Sequence, residues 1–146
     1  MRILGIDYGR VRLGLALSDE EGILASPLPP LARSHGDAER VAEIVQGRNV
    51  GRIVVGLPLR MDGLAGTMAE EAQAFAHEIQ KHTGLPVDLV DERWTSSEAE
   101  RAMLEGDLSR ERRRQLRDGL AAVLILQTYL AMNAPRRDSA EPSDKR

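Results

Sequence analysis

The chain of 146 residues is 42% hydrophobic and 29% charged, a composition typical of a single globular domain. It contains no cysteine, which excludes disulfides and thiolate metal sites, and no apolar run approaches the roughly 20 residues that span a membrane. The net charge of −3 does not indicate a nucleic-acid-binding protein. All but two of the 20 basic residues are arginine, which reflects either phosphate binding or a coding bias. Met1 and Arg2 lead directly into an apolar run, so we expect no signal peptide and a cytoplasmic location.

The N-terminal part of the sequence predicts three antiparallel strands. A short apolar run at 3–6 stops at Asp7, as expected of a buried strand that ends on an acid. Residues 8–10 form a turn, and alternating leucines over 13–17 indicate a second strand. A tight loop then leads to a third strand at 23–26, which Pro27 is expected to end because proline cannot donate to a strand ladder.

The rest of the chain alternates helices with strands. Apolar runs predict strands at 52–57 and 86–90. Apolar spacing predicts helices at 37–46 and 67–82, the second capped by Thr67 with Glu70. A further helix is predicted from Thr95, capped with Glu98, and a last one from Ser109 to Met132. This order predicts one α/β domain over 1–132, with a five-stranded mixed sheet and helices on both faces. The composition of 133–146 predicts a disordered C-terminal tail.

Three acidic residues lie at positions where a catalytic or metal-binding site is expected. Asp7 and Glu92 follow the ends of strands, and Asp118 shares one face of the apolar last helix with Ala121, Ala122 and Ile125. Converging carboxylates repel one another, and Mg²⁺ or Mn²⁺ relieves that repulsion. Taken singly, each acid is better explained by a turn, a helix entry or an ion pair. The coincidence of three favours a metal site, and whether Asp91 takes part is left open.

Several motifs, in order from residue 3 to about 130, resemble the YqgF/RuvX family of bacterial ribonuclease H-like proteins. The matching segments are Gly5-Ile6-Asp7-Tyr8-Gly9, Arg12-Leu13-Gly14, Gly56-Leu57-Pro58, Met61-Asp62-Gly63, Asp91-Glu92-Arg93 and Asp118 with Ala121-Ala122. The resemblance implies a ribonuclease H-like fold. It also implies that Asp7, Glu92 and Asp118 are catalytic residues and metal ligands for Mg²⁺ or Mn²⁺.

The resemblance implies a metal-dependent nuclease that matures the precursor of small-subunit ribosomal RNA or resolves Holliday junctions in branched DNA. Candidate phosphate contacts are Arg10, Arg12, Arg93 and Arg114. The choice between RNA and a DNA junction as substrate stays open. A non-catalytic nucleic-acid-binding module of the same fold is a second alternative. A third is an ATP-binding domain, but such folds need a second lobe to enclose the nucleotide, which 146 residues do not supply. Symmetric cleavage of a junction would favour a homodimer.

Overall fold

The computed structural model describes residues 1–57, 66–91 and 110–133, and of 110–118 the backbone alone. Within these ranges five strands form one sheet and three helices pack against it. In chain order the elements are β1 (Arg2–Asp7), β2 (Arg12–Ser18), β3 (Ala25–Ala32), α1 (Asp37–Gly47), β4 (Val50–Leu57), α2 (Thr67–Thr83), β5 (Val87–Asp91) and α3 (Arg110–Met132). The helix predicted from Thr95, the Ser109 cap and the tail from 134 lie outside the described residues. In the part of the chain that is described, no helix is long and apolar enough to cross a membrane.

The sheet is mixed, with the order β3-β2-β1-β4-β5. β1 pairs antiparallel with β2, which pairs antiparallel with β3, whereas β1–β4 and β4–β5 are parallel. The predicted five-stranded mixed sheet is therefore confirmed. β1 lies at its centre, and the carboxyl ends of β1, β4 and β5 meet at one edge of the sheet.

Helices cover both faces of the sheet, as predicted. On one face α1 and α2 pack on the larger core, which contains Leu4, Ile6 and Ile53. On the other face α3 packs on small residues of the sheet such as Ala16. Alternation along β1 assigns Leu4 and Ile6 to the first face, and Gly5 and Asp7 to the second.

Glycine at position 5 lets α3 approach β1 closely. A Cβ at Gly5 would lie 2.8 Å from Leu126 Cβ and 3.3 Å from the carbonyl oxygen of Ala122. One further glycine of the sheet, Gly14, faces the helix nearby, because a Cβ there would lie 3.7 Å from Ala122 Cβ. The spacing of α3 above the sheet is thus set by residues that have little or no side chain.

The prediction that Pro27 ends the third strand is wrong. β3 begins at Ala25 and continues through the prolines to Ala32, with Pro27 paired to Ala16 and Leu28 to Leu15. β3 is an edge strand, so a backbone nitrogen that faces away from β2 makes no hydrogen bond within the sheet, and a proline there removes none. The ladder accommodates the segment with a register shift between Leu13 and Leu15.

Two details of the helices also differ from prediction. Thr67 is the first residue of α2, and the N-cap is Gly66, which makes no side-chain cap hydrogen bond, so the predicted Thr67–Glu70 capping box is wrong. The end of α2 is confirmed, because Gly84 adopts a left-handed conformation with φ of 72° and donates to the carbonyl of Gln80. On α3, Ala121 is exposed, whereas Ala122 and Ile125 are buried.

Candidate active site

Asp7 ends β1 on the face that α3 covers. It pairs with Gly14 of β2 and Gly56 of β4, two neighbours without side chains. A Cβ on Gly14 would lie 3.3 Å from Asp7 Cβ and 3.7 Å from Asp7 Oδ2. The Asp7 carboxylate therefore lies over the space that Gly14 leaves open, beside the point where Ala122 of α3 reaches the sheet.

α3 brings Asp118 toward the same edge. The last turn of α3 lies beside Met1 and the β2–β3 loop at the opposite end of the sheet, whereas Ala122 lies beside Gly14. Asp118 precedes Ala122 by four residues, which places its backbone one turn, about 6 Å, further along α3 in the direction of the Asp7 edge. Ala122 and Ile125 are buried on that side of the helix. The side chain of Asp118 lies outside the described residues.

The third predicted acid, Glu92, lies outside the described residues. β5 ends at Asp91, at the same edge of the sheet as Asp7. Val90 pairs with Gly56, which pairs with Asp7, so Val90 and Asp7 share a row that faces α3. Asp91 pairs with Leu57, whose side chain packs in the α1–α2 core. Strand alternation therefore directs Asp91 to the face opposite Asp7, which argues against a shared site.

The predicted arginines differ in their surroundings. Arg10 is exposed and bound to Glu71 of α2, with its Nε 3.1 Å from Oε1 and its Nη2 3.0 Å from Oε2. Arg12 is exposed at the start of β2, five residues after Asp7. Arg93 and the side chain of Arg114 lie outside the described residues. Of the four, only Arg10 and Arg12 can be placed, and both lie in or next to the turn that follows Asp7.

The Arg10–Glu71 pair stays charged at neutral pH. The hydrogen bond from Arg10 is the main cause that lowers the pKa of Glu71, and the Glu71 carboxylate in turn raises the pKa of Arg10. Both groups reach solvent, so the pair is screened by salt and contributes little to stability. An exposed guanidinium held by one carboxylate remains able to exchange that partner for a phosphate.

Sequence reasoning missed Arg33. This residue follows β3 and donates from Nε to Asp37 Oδ2 at 2.6 Å and from Nη1 to the carbonyl of Gly9 at 2.7 Å. Its Cζ lies 4.7 Å from the centre of the Tyr8 ring. The only signal in the sequence is the spacing of four between Arg33 and Asp37, because the contacts to the turn are tertiary.

Tyr8 has a structural position. It is 9% exposed, its ring centre lies 5.5 Å from that of Phe75, and its hydroxyl donates to Glu71 over 3.3 Å. It faces the α1–α2 core, away from Asp7, so it does not present a free ring for base stacking. Asp7 and Tyr8 therefore lie on opposite faces of the sheet.

The described residues contain no group of three His, Cys, Asp or Glu side chains able to hold a metal ion. Of the three predicted ligands only Asp7 has a described side chain. Its carboxylate oxygens are ligands of the kind that hard divalent cations bind.

The sheet order, the antiparallel meander followed by two parallel strands, and the acid at the end of β1 define a ribonuclease H-like domain. The structure of Thermus thermophilus RuvC in complex with a Holliday junction substrate superposes with a TM-score of 0.60 at 20% sequence identity. The match covers 93% of this chain and 98% of that one. This likeness confirms the predicted fold.

The family model of RuvX, described as a Holliday junction resolvase, matches residues 1–132. A protein of Pelotomaculum thermopropionicum is 48% identical over 143 residues, which cover 95% of this chain and 93% of that protein. One from Syntrophomonas wolfei is 47% identical over 132 residues, covering 89% and 94%. Both are named "Putative pre-16S rRNA nuclease". The chain belongs to the RuvX family, and it is a nuclease, a hydrolase of phosphodiester bonds.

Proposed function

We propose that this protein is a divalent-metal-dependent nuclease that matures the precursor of small-subunit ribosomal RNA in the cytoplasm. One observation carries the proposal: Asp7 lies at the carboxyl end of the central strand, beside Gly14 and under the helix that contains Asp118. The names of the relatives point to the RNA substrate. The domain responsible is 1–132.

Each residue of the site has a proposed role. Asp7, Glu92 and Asp118 would hold Mg²⁺ or Mn²⁺, which when bound would supply an activated water and neutralise charge on the phosphate. Arg12, exposed beside the Asp7 turn, binds a phosphate of the substrate. Arg10, Arg93 and Arg114 are further phosphate contacts. The carboxylates themselves repel the substrate, so binding rests on the arginines and is sensitive to salt.

A four-way DNA junction is the second candidate substrate. The description of the family model and the RuvC–junction structure favour it. Because a junction has two equivalent strands to cut, this activity favours a homodimer, in which each subunit cuts one strand. A third candidate, a nucleic-acid-binding module without catalysis, predicts binding that is independent of metal.

Cleavage of two substrates in parallel tests these functions. A precursor RNA fragment that spans the mature 5′ end and a four-way DNA junction are each incubated with protein in Mg²⁺, in Mn²⁺ and in EDTA. We expect metal-dependent cleavage of the RNA, with slower cutting of the junction and none in EDTA. Cleavage of the junction alone, by a species of twice the monomer mass, would instead establish the resolvase, and binding without cleavage would establish the module.

Asp118→Asn tests the metal ligands through stability. Mg²⁺ at about ten times its dissociation constant is expected to stabilise the parent protein by about 1.4 kcal/mol, a shift of roughly 3–6 °C in melting temperature. In EDTA the variant should melt higher than the parent, because the loss of one of three clustered negative charges relieves their mutual repulsion in the folded protein. The measurement is the melting temperature with and without Mg²⁺. Equal Mg²⁺ shifts in both proteins would remove Asp118 from the ligand set.

Glu71→Gln tests whether Arg10 is available to phosphate. Removal of the Glu71 charge frees Arg10 and reduces repulsion of the substrate, so affinity for the RNA should rise about three- to fivefold at low salt. The slope of log affinity against log salt should steepen by about one unit, the change expected for one added phosphate contact. Fluorescence anisotropy in EDTA measures both quantities.

Glu78→Gln is the matched control for that experiment. Glu78 lies on the same helix, is exposed, and pairs with Lys81 and His82 instead of with the Asp7 turn. The same loss of one charge should change RNA affinity by less than about twofold. An equal rise in both variants would show that overall charge, and not release of Arg10, sets the affinity.

A further inference from the structure

Arg33 bonds to both ends of the short turn that follows Asp7. Its guanidinium donates to the carbonyl oxygen of Gly9 at 2.7 Å, and its backbone nitrogen donates to the carbonyl oxygen of Val11 at 3.0 Å. Gly9 and Val11 flank Arg10 in the turn between β1 and β2, outside the paired rows of the two strands. One residue, distant in sequence, therefore fixes the turn at two points.

Three further contacts hold Arg33 itself. The carboxylate of Asp37, a buried group in the first turn of α1, accepts from Nε at 2.6 Å. The guanidinium also stacks on two buried rings, with Cζ 4.7 Å from the Tyr8 centre and 5.2 Å from the Phe75 centre. Charge, hydrogen bonds and stacking thus hold the guanidinium plane in one orientation.

The turn has little freedom to adapt if this support is lost. A Cβ on Gly9 would collide with the carbonyl oxygen of Arg12, so the backbone on either side of the turn is in close contact. A shift of Gly9 is therefore transmitted to its neighbours Tyr8 and Asp7 along the chain. Displacement of a reacting group by about 1 Å is enough to cost on the order of a hundredfold in rate.

Arg33 is engaged by protein groups, whereas Arg10, which lines a second cleft together with it, is exposed. Arg33 lies in a cleft of about 470 Å³ on the α1–α2 side of the sheet, opposite the face of Asp7. Four carboxylates also line this cleft, and they would repel a phosphate: Asp37, Glu39, Glu71 and Glu78. The guanidinium already bonds to Asp37 and Gly9. Its position suits a role that acts through the turn.

We propose that Arg33 is a positioning residue that holds the Gly9–Val11 turn and thereby orients the Asp7 carboxylate for cation binding. The inference rests on the proposed role of Asp7 as a metal ligand. Loss of a residue that orients a metal ligand typically costs 10–100-fold in metal affinity or activity. The affinity for nucleic acid should fall much less than the rate, because Arg33 bonds to the turn and, of the proposed phosphate contacts, only Arg10 lies between Gly9 and Val11.

The test compares Arg33→Met with Arg40→Met. Methionine keeps the length of the side chain and much of its stacking on the rings but removes the guanidinium bonds to Gly9 and Asp37, while the backbone bond to Val11 remains. Arg40 is the matched control, since its guanidinium bonds to the carbonyl of Ala32 and to Ser34 Oγ in the same connection but not to the turn. For each protein we would measure the rate of RNA cleavage against Mg²⁺ concentration, RNA affinity in EDTA, and the shift of melting temperature produced by Mg²⁺.

For Arg33→Met we expect the Mg²⁺ concentration that gives half the maximal rate to rise at least about tenfold. The Mg²⁺-induced melting shift should fall at a fixed Mg²⁺ concentration, and RNA affinity should fall by no more than about threefold, the effect of displacing the one phosphate contact Arg10. Arg40→Met should match the parent protein in all three. If Arg33→Met folds poorly, Arg33→Lys keeps the charge beside Asp37, and its Mg²⁺ midpoint should fall between those of the parent and the methionine variant.

Two results would overturn the proposal. An unchanged Mg²⁺ midpoint in both Arg33 variants, with a loss of rate that follows the loss of folded protein, would make the role structural. A loss of RNA affinity as large as the loss of rate would make Arg33 a substrate contact. The proposed function is tested separately, since it fails if the parent protein does not cleave or if Asp7→Asn cleaves as well as the parent.

Discussion

Asp7→Asn is expected to lower the rate of metal-dependent cleavage by at least about a hundredfold, because it replaces a charged ligand with a neutral one of the same shape. RNA affinity in EDTA should stay the same or rise slightly, since one negative charge leaves the substrate face. The salt dependence of binding should also be unchanged, because the arginines that contact phosphate remain. Single-turnover cleavage at saturating protein, with anisotropy for affinity, separates the two effects.

Asp19→Asn provides the matched control. Asp19 lies just beyond β2 at the opposite end of the sheet, where its Oδ1 accepts the backbone N–H of Ile23 at 2.8 Å. An asparagine oxygen can accept the same bond, so the variant should fold and cleave like the parent. Full activity in Asp7→Asn would contradict the assignment of Asp7. A loss of activity in both variants would point to overall charge instead.

Gly5→Ala is expected to reduce stability and activity together. Its Cβ would lie 2.8 Å from Leu126 Cβ and 3.3 Å from the Ala122 carbonyl, and neither atom can rotate away. α3 must therefore move off β1, at a typical overpacking cost of about 1–3 kcal/mol, or roughly 3–12 °C in melting temperature. Because α3 contains Asp118, the movement should also weaken Mg²⁺ binding. Thermal unfolding and the Mg²⁺ dependence of cleavage measure the two effects.

Gly47→Ala is the control for that change. Gly47 is the last residue of α1, and a Cβ there has no atom within 4 Å. The same added methyl group should leave the melting temperature unchanged or raise it by a few degrees, since alanine favours the helix more than glycine does. A Gly5→Ala protein as stable as the parent would show that α3 adjusts at no cost, which would contradict the close packing.

Most of the sheet could be predicted because its strands carry local signals. Apolar runs that stop at Asp7 and at Asp91 mark β1 and β5, and the alternation of β2 marks a strand with leucines on one face and small residues on the other. The course of β3 could not be predicted in the same way. Whether Pro27 ends a strand depends on whether the strand lies at the edge of the sheet, and that is a property of the assembled fold.

The candidate site was predictable to a similar extent. Asp7 was identified from its place at a strand end, and in the structure it is the last residue of β1, the central strand. The exposure of Ala121 was not predictable, because residues 121 and 122 both fit an apolar stripe of α3 and only packing decides between them. Arg33 was missed because its bonds to Gly9 and Val11 join segments that no spacing rule connects.

The close approach of Gly5 to Leu126 joins segments that are far apart in sequence. The parallel partner of β1, β4, begins at Val50, and α3, which covers β1 on the Asp7 face, runs from Arg110 to Met132. Pairings so far apart in sequence make folding slow, since long loops must close before native contacts form. The central strand is therefore expected to stay uncovered on this face until a late step of folding.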